Sequence, residues 1–210
     1  MKYGELNLGQ VEAIVNKLGG MSGVRALLQD DLIIQSKQLP FSKNEHGHCV
    51  FTITGLNITG KQDKARMEES HFRVSKYAGK VLASTNNDSY DKNHRLEDGK
   101  EYNIVLIPGC EVTKNRTTAN LQAYARSFGY EVPLAGVIPR IREVVSDRQM
   151  KQMDIWHIVA LHTPIKDTDD DPVVLSAGRD GNGCWIRTAW DNPVSTWNDY
   201  GAFAFVVPKS

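Results

Sequence analysis

The sequence predicts an α+β protein: a mainly antiparallel sheet with packed helices, preceded by an N-terminal helical hairpin. Asn7 to Asp30 holds two runs at helical spacing, split by Gly19 and Gly20. From Asp154 the period becomes that of strands, in the runs IWHIVALH, VVLSAGR, CWIRTAW and AFAFVV. The turn formers RDGNG at 179–183 join the middle two runs as a hairpin, which favours antiparallel pairing. At 210 residues the chain suits one sizeable core with a small appendage. The expected division is a helical hairpin and strand over 1–35 and an α+β core over 36–210.

Asn7 can cap the first helix, with Gln10 reaching back as in a capping box. Leu8, Val11, Ile14, Val15 and Leu18 form one apolar stripe. Gly19 and Gly20 supply a left-handed stop, Ser22 is the expected second N-cap, and Val24, Leu27 and Leu28 face the next helix inward. Leu32, Ile33 and Ile34 predict a strand. Two short helices and a tight turn raise the idea of a DNA-reading helix-turn-helix. The second helix, however, exposes mainly Ser22, Arg25 and Gln29, few groups for phosphates or bases. A hairpin that buries its stripe against a partner is the better reading.

The run LGQVEAIVNKLGGMSGVRALL, with LHTPIKDTDDDPVVL at 161–175 and the closing WNDYGAFAFVV, resembles a family of small bacterial proteins sharing these landmarks. The resemblance spans most of the chain and brings no activity with it.

Residues 38–48 are polar, with Pro40 and Gly47, and predict a connection carrying His46 and His48 as exposed turn residues. Cys49–Thr54 alternates as a strand. The stretch from Gly60 begins polar and turns helical over Lys76–Leu82. Its lysines and arginines are diluted by Asp63, Glu68 and Glu69 into an ordinary solvated face. TNNDSYDKNHRLEDGK at 85–100 predicts a long surface loop. YNIVLIP at 102–108 predicts a buried strand, followed by a helix from about Thr113 to Gly129. No Walker or GxGxxG pattern accompanies that strand and helix. A third helical region is expected from Pro133 to Met153, burying Ile138, Ile141, Val144 and Val145.

Formal net charge is zero, so a polyanionic partner needs a local patch. Residues 113–151 hold seven bases against three acids. Arg140, Arg142, Arg148 and Lys151 are expected to face outward, and Arg116 and Arg126 extend the basic surface if the preceding helix lies alongside. That is the candidate nucleic-acid surface.

The sharpest chemical cluster is KDTDDDP at 166–172. Asp167, Asp169 and Asp171 match the opening ligands of a calcium loop, but Pro172 stands at its turn glycine and Gly178 at its glutamate, so a full EF-hand is excluded. His157 is expected to be a core histidine and His162 the freer one. His162 as base, Asp167 and Asp169 orienting it or sharing a divalent cation, and Arg179 or Arg187 holding an anion together form the candidate catalytic set. Trp190 and Trp197 offer a sugar- or peptide-binding shelf, with Trp185 and Tyr200 nearby.

Cys49, Cys110 and Cys184 are odd in number and widely spaced, which argues for buried thiols in a reducing compartment. The beginning MKYGELNLGQ lacks a secretory apolar core, and no apolar run approaches the roughly 18 residues of a spanning helix. The expectation is a cytoplasmic, non-enzymatic binding or interaction protein with no cofactor and no membrane contact. Its partner is nucleic acid or protein. The alternative is a metal-assisted hydrolase or nuclease at His162 and Asp167–Asp171.

Overall fold

The computed structural model describes residues 7–32, 41–181 and 183–208. The chain divides into two compact units, with the break between residues 39 and 40. The first contains α1 (Leu8–Lys17) and α2 (Met21–Leu28). Its capping box is complete: Asn7 Oδ1 accepts from the Gln10 N–H and Gln10 Oε1 from the Asn7 N–H, both at 2.9 Å. Gly19 and Gly20 turn the chain at φ +82° and +83°, a region closed to most side chains. Gly20, not Ser22, is the second N-cap, and the Ser22 hydroxyl donates back to the Gly19 carbonyl. Leu32 lies in a bend, and Ile33 and Ile34, expected to continue a strand there, lie outside the described residues.

The second unit is built on a mixed, mostly antiparallel sheet of nine strands. They are β1 (Ser42–Lys43), β2 (Cys49–Thr54), β3 (Arg73–Val74), β4 (Glu101–Pro108), β5 (His157–Ala160), β6 (Ile165–Lys166), β7 (Pro172–Asp180), β8 (Gly183–Trp190) and β9 (Ala202–Val207). The order across the sheet is β1-β2-β4-β9-β5-β7-β8-β3, with β6 beside β7. Only β9 with β5 and β3 with β8 run parallel. The hairpin expected through 179–183 joins β7 to β8 in continuous register from Val173 opposite Trp190 to Asp180 opposite Gly183.

Alternation divides the apolar residues between two faces. Ile104, Leu106, Ile158, Ala160, Leu175, Ala177, Ile186, Ala202 and Ala204 join the first-face core. Val105, Ile107, Val159, Val174, Phe203 and Phe205 join the second. Against the first face pack α3 (Gly60–Glu69), α4 (Lys76–Leu82), α5 (Tyr90–Asn93), α7 (Val137–Val144) and α8 (Asp147–Gln152), through Met67, Leu82, Tyr90, Ile138, Ile141 and Met150. The second face is covered by α6 (Thr118–Ser127) through Leu121 and Ala125.

Three elements differ from the expectations. The polar start at Gly60 is itself helical, set by a capping box between Thr59 and Gln62, and it buries Asp63 and Met67. The stretch 85–100 is not all surface loop: Tyr90, His94 and Leu96 are at most 2% exposed. The single helix expected over 133–153 breaks in two at Val145, because Ser146 starts a new capping box with Gln149.

Candidate functional site

His162 is not a free base. It is fully buried; its Nδ1–H donates to the Thr163 carbonyl at 2.7 Å and its Nε2 accepts the Leu175 N–H at 2.9 Å. Both ring nitrogens therefore serve the backbone, and that pattern assigns the tautomer. Its ring meets His94 edge-on, with centroids 4.8 Å apart, and His94 Nδ1 accepts the Ala135 N–H. Burial pushes His94 down to about 4 and His162 down to about 3, the latter helped by its histidine neighbour, so both are neutral core groups at pH 7.

The acidic turn spends its carboxylates locally. Asp167 Oδ1 accepts the N–H groups of Asp169 and Asp171 at 2.9 and 3.1 Å, closing an Asx turn, and Asp170 takes both contacts from Lys166 Nζ at 2.9 Å. Asp169 and Asp171 are exposed. Among the described residues no three His, Cys, Asp or Glu groups converge for a metal, and neither ring nitrogen of His162 is bonded to Asp167 or Asp169, since both are taken by backbone.

The basic surface is also dismantled. Arg140 and Arg142 are 3% and 1% exposed, not outward-facing. Arg140 pairs with Asp63, whose other oxygen accepts the Tyr90 hydroxyl at 2.5 Å, and it also reaches Glu143 at 3.2 Å. Arg142 is held by Asp147 and the Val145 carbonyl, with its guanidinium 5.7 Å from the Phe72 ring centre. Helix α7 is short and embedded, so its arginines join elements where a longer helix would have displayed them. Arg148 and Lys151 remain exposed on α8. Arg126 is exposed on α6, which covers the other face of the sheet. Arg116 donates to the carbonyls of Trp197 (2.8 Å) and Val112 (2.9 Å), tying down a loop.

His48 is buried rather than an exposed turn residue. Its ring lies between the Tyr130 hydroxyl and Glu111 Oε1, each at 2.9 Å; the Tyr124 hydroxyl donates to the same Glu111 oxygen and Asn44 Nδ2 donates to Tyr130. Tyrosine, histidine and glutamate in series resemble an activated nucleophile, but burial pushes the Tyr130 phenol up, the wrong direction for one. The chain of bonds locks β2 to the segment after β4 and to the turn after α6.

The expected Trp190 and Trp197 shelf does not form either. Alternation sends Trp190, at the exposed end of β8, to the side of Ile186, whereas Trp197 packs on Phe203 of the second face. Cys49 and Cys184 are half-buried and Cys110 is exposed; all three are free thiols.

What the structure does assemble is a cleft of about 400 Å³ on the second face, over β5, β7 and β8. Helix α6 packs through Leu121 and Ala125 beside β4, β9 and β5, and on the strands beyond it the inward pattern turns small and polar: Ser176, Gly178 and Asp180 alternate along β7. Register sets His157 opposite Gly178, Val159 opposite Ser176 and Ser176 opposite Arg187, giving a continuous floor. Trp197, Asn198 and Tyr200, from the segment between β8 and β9, form a wall. Trp197 is fixed by its indole N–H donating to Thr118 Oγ1 at 3.0 Å, and Thr118 is itself bonded to Asp191. Arg187 pairs with Asp180 and lies 4.8 Å from the Trp185 ring centre, while Arg73 approaches that ring at 5.2 Å. Arg179, at the rim, stacks on Trp156 at 4.2 Å and donates to the Ile155 carbonyl. The His157 ring meets Tyr200 edge-on and packs so tightly on Gly201 that a Cβ there would lie 2.3 Å from Nε2; burial lowers its pKa.

Of this cleft, the sequence reading singles out Arg179, Arg187, Trp197 and Tyr200, and it misses His157 as a wall group and Ser176, Gly178 and Asp180 as the floor. The available signal is in β7: a strand buried on both sides should be apolar at every position, and Ser176 and Gly178 interrupt it on one face alone. No protein-family model, curated protein or solved structure matches the chain.

Proposed function

We propose that this is a non-enzymatic binding protein whose ligand site is the cleft over β5, β7 and β8. The carrying observation is that β7 and β8, the long hairpin toward one edge of the sheet, present Ser176, Gly178, Asp180 and Arg187 where a second covering helix would require apolar residues. A polar floor beneath an aromatic wall, at about 400 Å³, is the composition and size of a small-molecule site. The floor hydroxyl of Ser176 is turned toward the Arg187 carbonyl at 3.5 Å, which suits binding better than attack. The basic helical surface no longer supports a nucleic-acid partner once Arg140 and Arg142 are spent inside, and His162 cannot serve the hydrolase alternative while both its nitrogens hold backbone. A cytoplasmic location belongs to the same proposal, supported by three free thiols. No helix among the described residues is long and apolar enough to cross a membrane.

The test uses Gly178. A Cβ there meets no atom closer than 3.9 Å, so Gly178→Leu fits the backbone and fills the cleft from its floor. Ligand-observed NMR with a small-metabolite library on the full chain should give hits that Gly178→Leu loses while keeping its melting temperature. Hits that bind both proteins equally, or an absence of hits, would sink the proposal.

A further inference from the structure

We infer that a groove on the first face, where β1 and β2 end the sheet, binds a small apolar carboxylate, a compact hydrocarbon body carrying one negative charge. This site is separate from the cleft proposed above and lies on the opposite face. Strand register builds it. Lys43 lies opposite Cys49, Cys49 opposite Leu106 and Ala202 opposite Pro108; direct partners share a face, so Lys43 and Cys49 project to the same side as Leu106. A longer α8 would cover them, but the helix ends at Gln152 and the chain turns away through Asp154, at φ +55°, into β5. An opening of about 350 Å³ is left between the helix end and the strands.

Two features set the class of ligand. The first is that the surface within reach is apolar. Cys49, Pro108 and Met153 are half-buried around the opening, over a floor closed by Leu106 and Ala202. Burial pushes the Cys49 thiol up, so it stays a protonated, apolar wall rather than a nucleophile. Met153 adds an unbranched, polarizable side chain that adapts to what it meets. The second feature is charge. Among the described residues Lys43 is the one charged group lining the groove, and it makes no ion pair. Gln152, from α8, likewise leaves its amide without a hydrogen bond among them. An ammonium and an amide N–H beside an apolar hollow match a carboxylate head on a hydrocarbon body. A cation is repelled, and a neutral alcohol leaves Lys43 unused. A groove of this size takes a body of about six to ten carbon atoms.

The experiment titrates the full chain by calorimetry with octanoate, octanol and octylamine, each below its micellar concentration. In parallel, iodoacetamide labelling followed by peptide mass spectrometry reads Cys49, Cys110 and Cys184 separately. Octanoate should bind saturably and slow the labelling of Cys49 while leaving that of the exposed Cys110 unchanged. Octanol should bind about fivefold more weakly, the worth of one partly exposed ion pair, and octylamine more weakly still. Lys43→Glu, at an exposed position, should keep the melting temperature, weaken octanoate and turn the preference toward octylamine. Gly178→Leu, which fills the other cleft, should change none of this. Equal affinity for octanol and octanoate, equal protection of all three thiols, loss of octanoate binding in Gly178→Leu, or no binding at tens of millimolar would each overturn the assignment.

Discussion

The first face of the sheet and the cleft over β5, β7 and β8 treat polar groups differently. Under the helices of the first face the buried charges and imidazoles are held by groups of the protein itself: Asp63 by Arg140 and Tyr90, Arg142 by Asp147 and the Val145 carbonyl, His94 and His162 by backbone N–H and C=O groups, although Arg140 Nη1 and Arg142 Nε make no hydrogen bond. On the second face, past the edge of α6, Asp180, Arg187, Ser176 and Asn198 line the cleft. A residue type therefore says little about function until its neighbours are known. Arginine on α7 is structural glue; arginine on β8 is a group a ligand can reach.

The strongest way to break this contrast is to remove one partner of the first-face ion pair. Asp63→Ala leaves the Arg140 guanidinium buried, with Glu143 alone for company, and should cost about 3–5 kcal/mol. Urea unfolding of the variant measures it. Because the lost group lies on the face away from the cleft, ligand binding by the folded fraction should be unchanged. A cost below about 1 kcal/mol would show that the pair is not desolvated as the structure has it.

A smaller effect follows from the two buried histidines. Their folded values, about 4 and about 3, lie below the ordinary value of 6.5. Above pH 6.5 both folded and unfolded chains carry neutral rings, and this stability is fully present. As pH falls below 6.5 the unfolded chain takes up protons first, which favours unfolding, and the loss continues until the folded rings titrate near 4 and 3. The histidine contribution to the urea midpoint should thus be flat from pH 8 to 7 and drop from 6 to 4, offset in part by Asp63, whose carboxyl burial raises to about 6, so that replacing both histidines should remove the drop. An NMR titration in which either ring protonates near 6.5 without unfolding would contradict their burial.

These contrasts also explain what was legible in the sequence. Local signals were reliable: the capping box at Asn7 and Gln10, the turn at 179–183 and the alternating strands all formed, because each is decided by groups within a few residues. The sheet order was not legible, since the parallel pairing of β5 with β9 depends on contacts about 45 residues apart. His48 and His94 looked like loop residues for the same reason, their partners being Tyr130 and Ala135, far along the chain. Helix α3 was legible in principle: Thr59 and Gln62 carry the same signature as Asn7 and Gln10, but the polar run after them hid it. The cleft was least legible, because what marks it is that no described helix of the second unit packs over Ser176 and Gly178.

The smallest effect concerns the two bases of the third helical region that do stay outside. Arg148 and Lys151 are exposed on α8, and no hydrogen bond or ion pair to another described side chain is assigned to either. Replacing both by alanine removes two solvated charges from a surface helix, and such changes usually fall within about 0.5 kcal/mol. Retention of DNA or RNA oligonucleotides at low salt should likewise be no different between the double variant and the parent, since two isolated charges release few counterions. A clear loss of oligonucleotide binding would restore the basic face as an interface. It would also mean that the outer surface of α8, and not only the open half of the sheet, had been left for a partner.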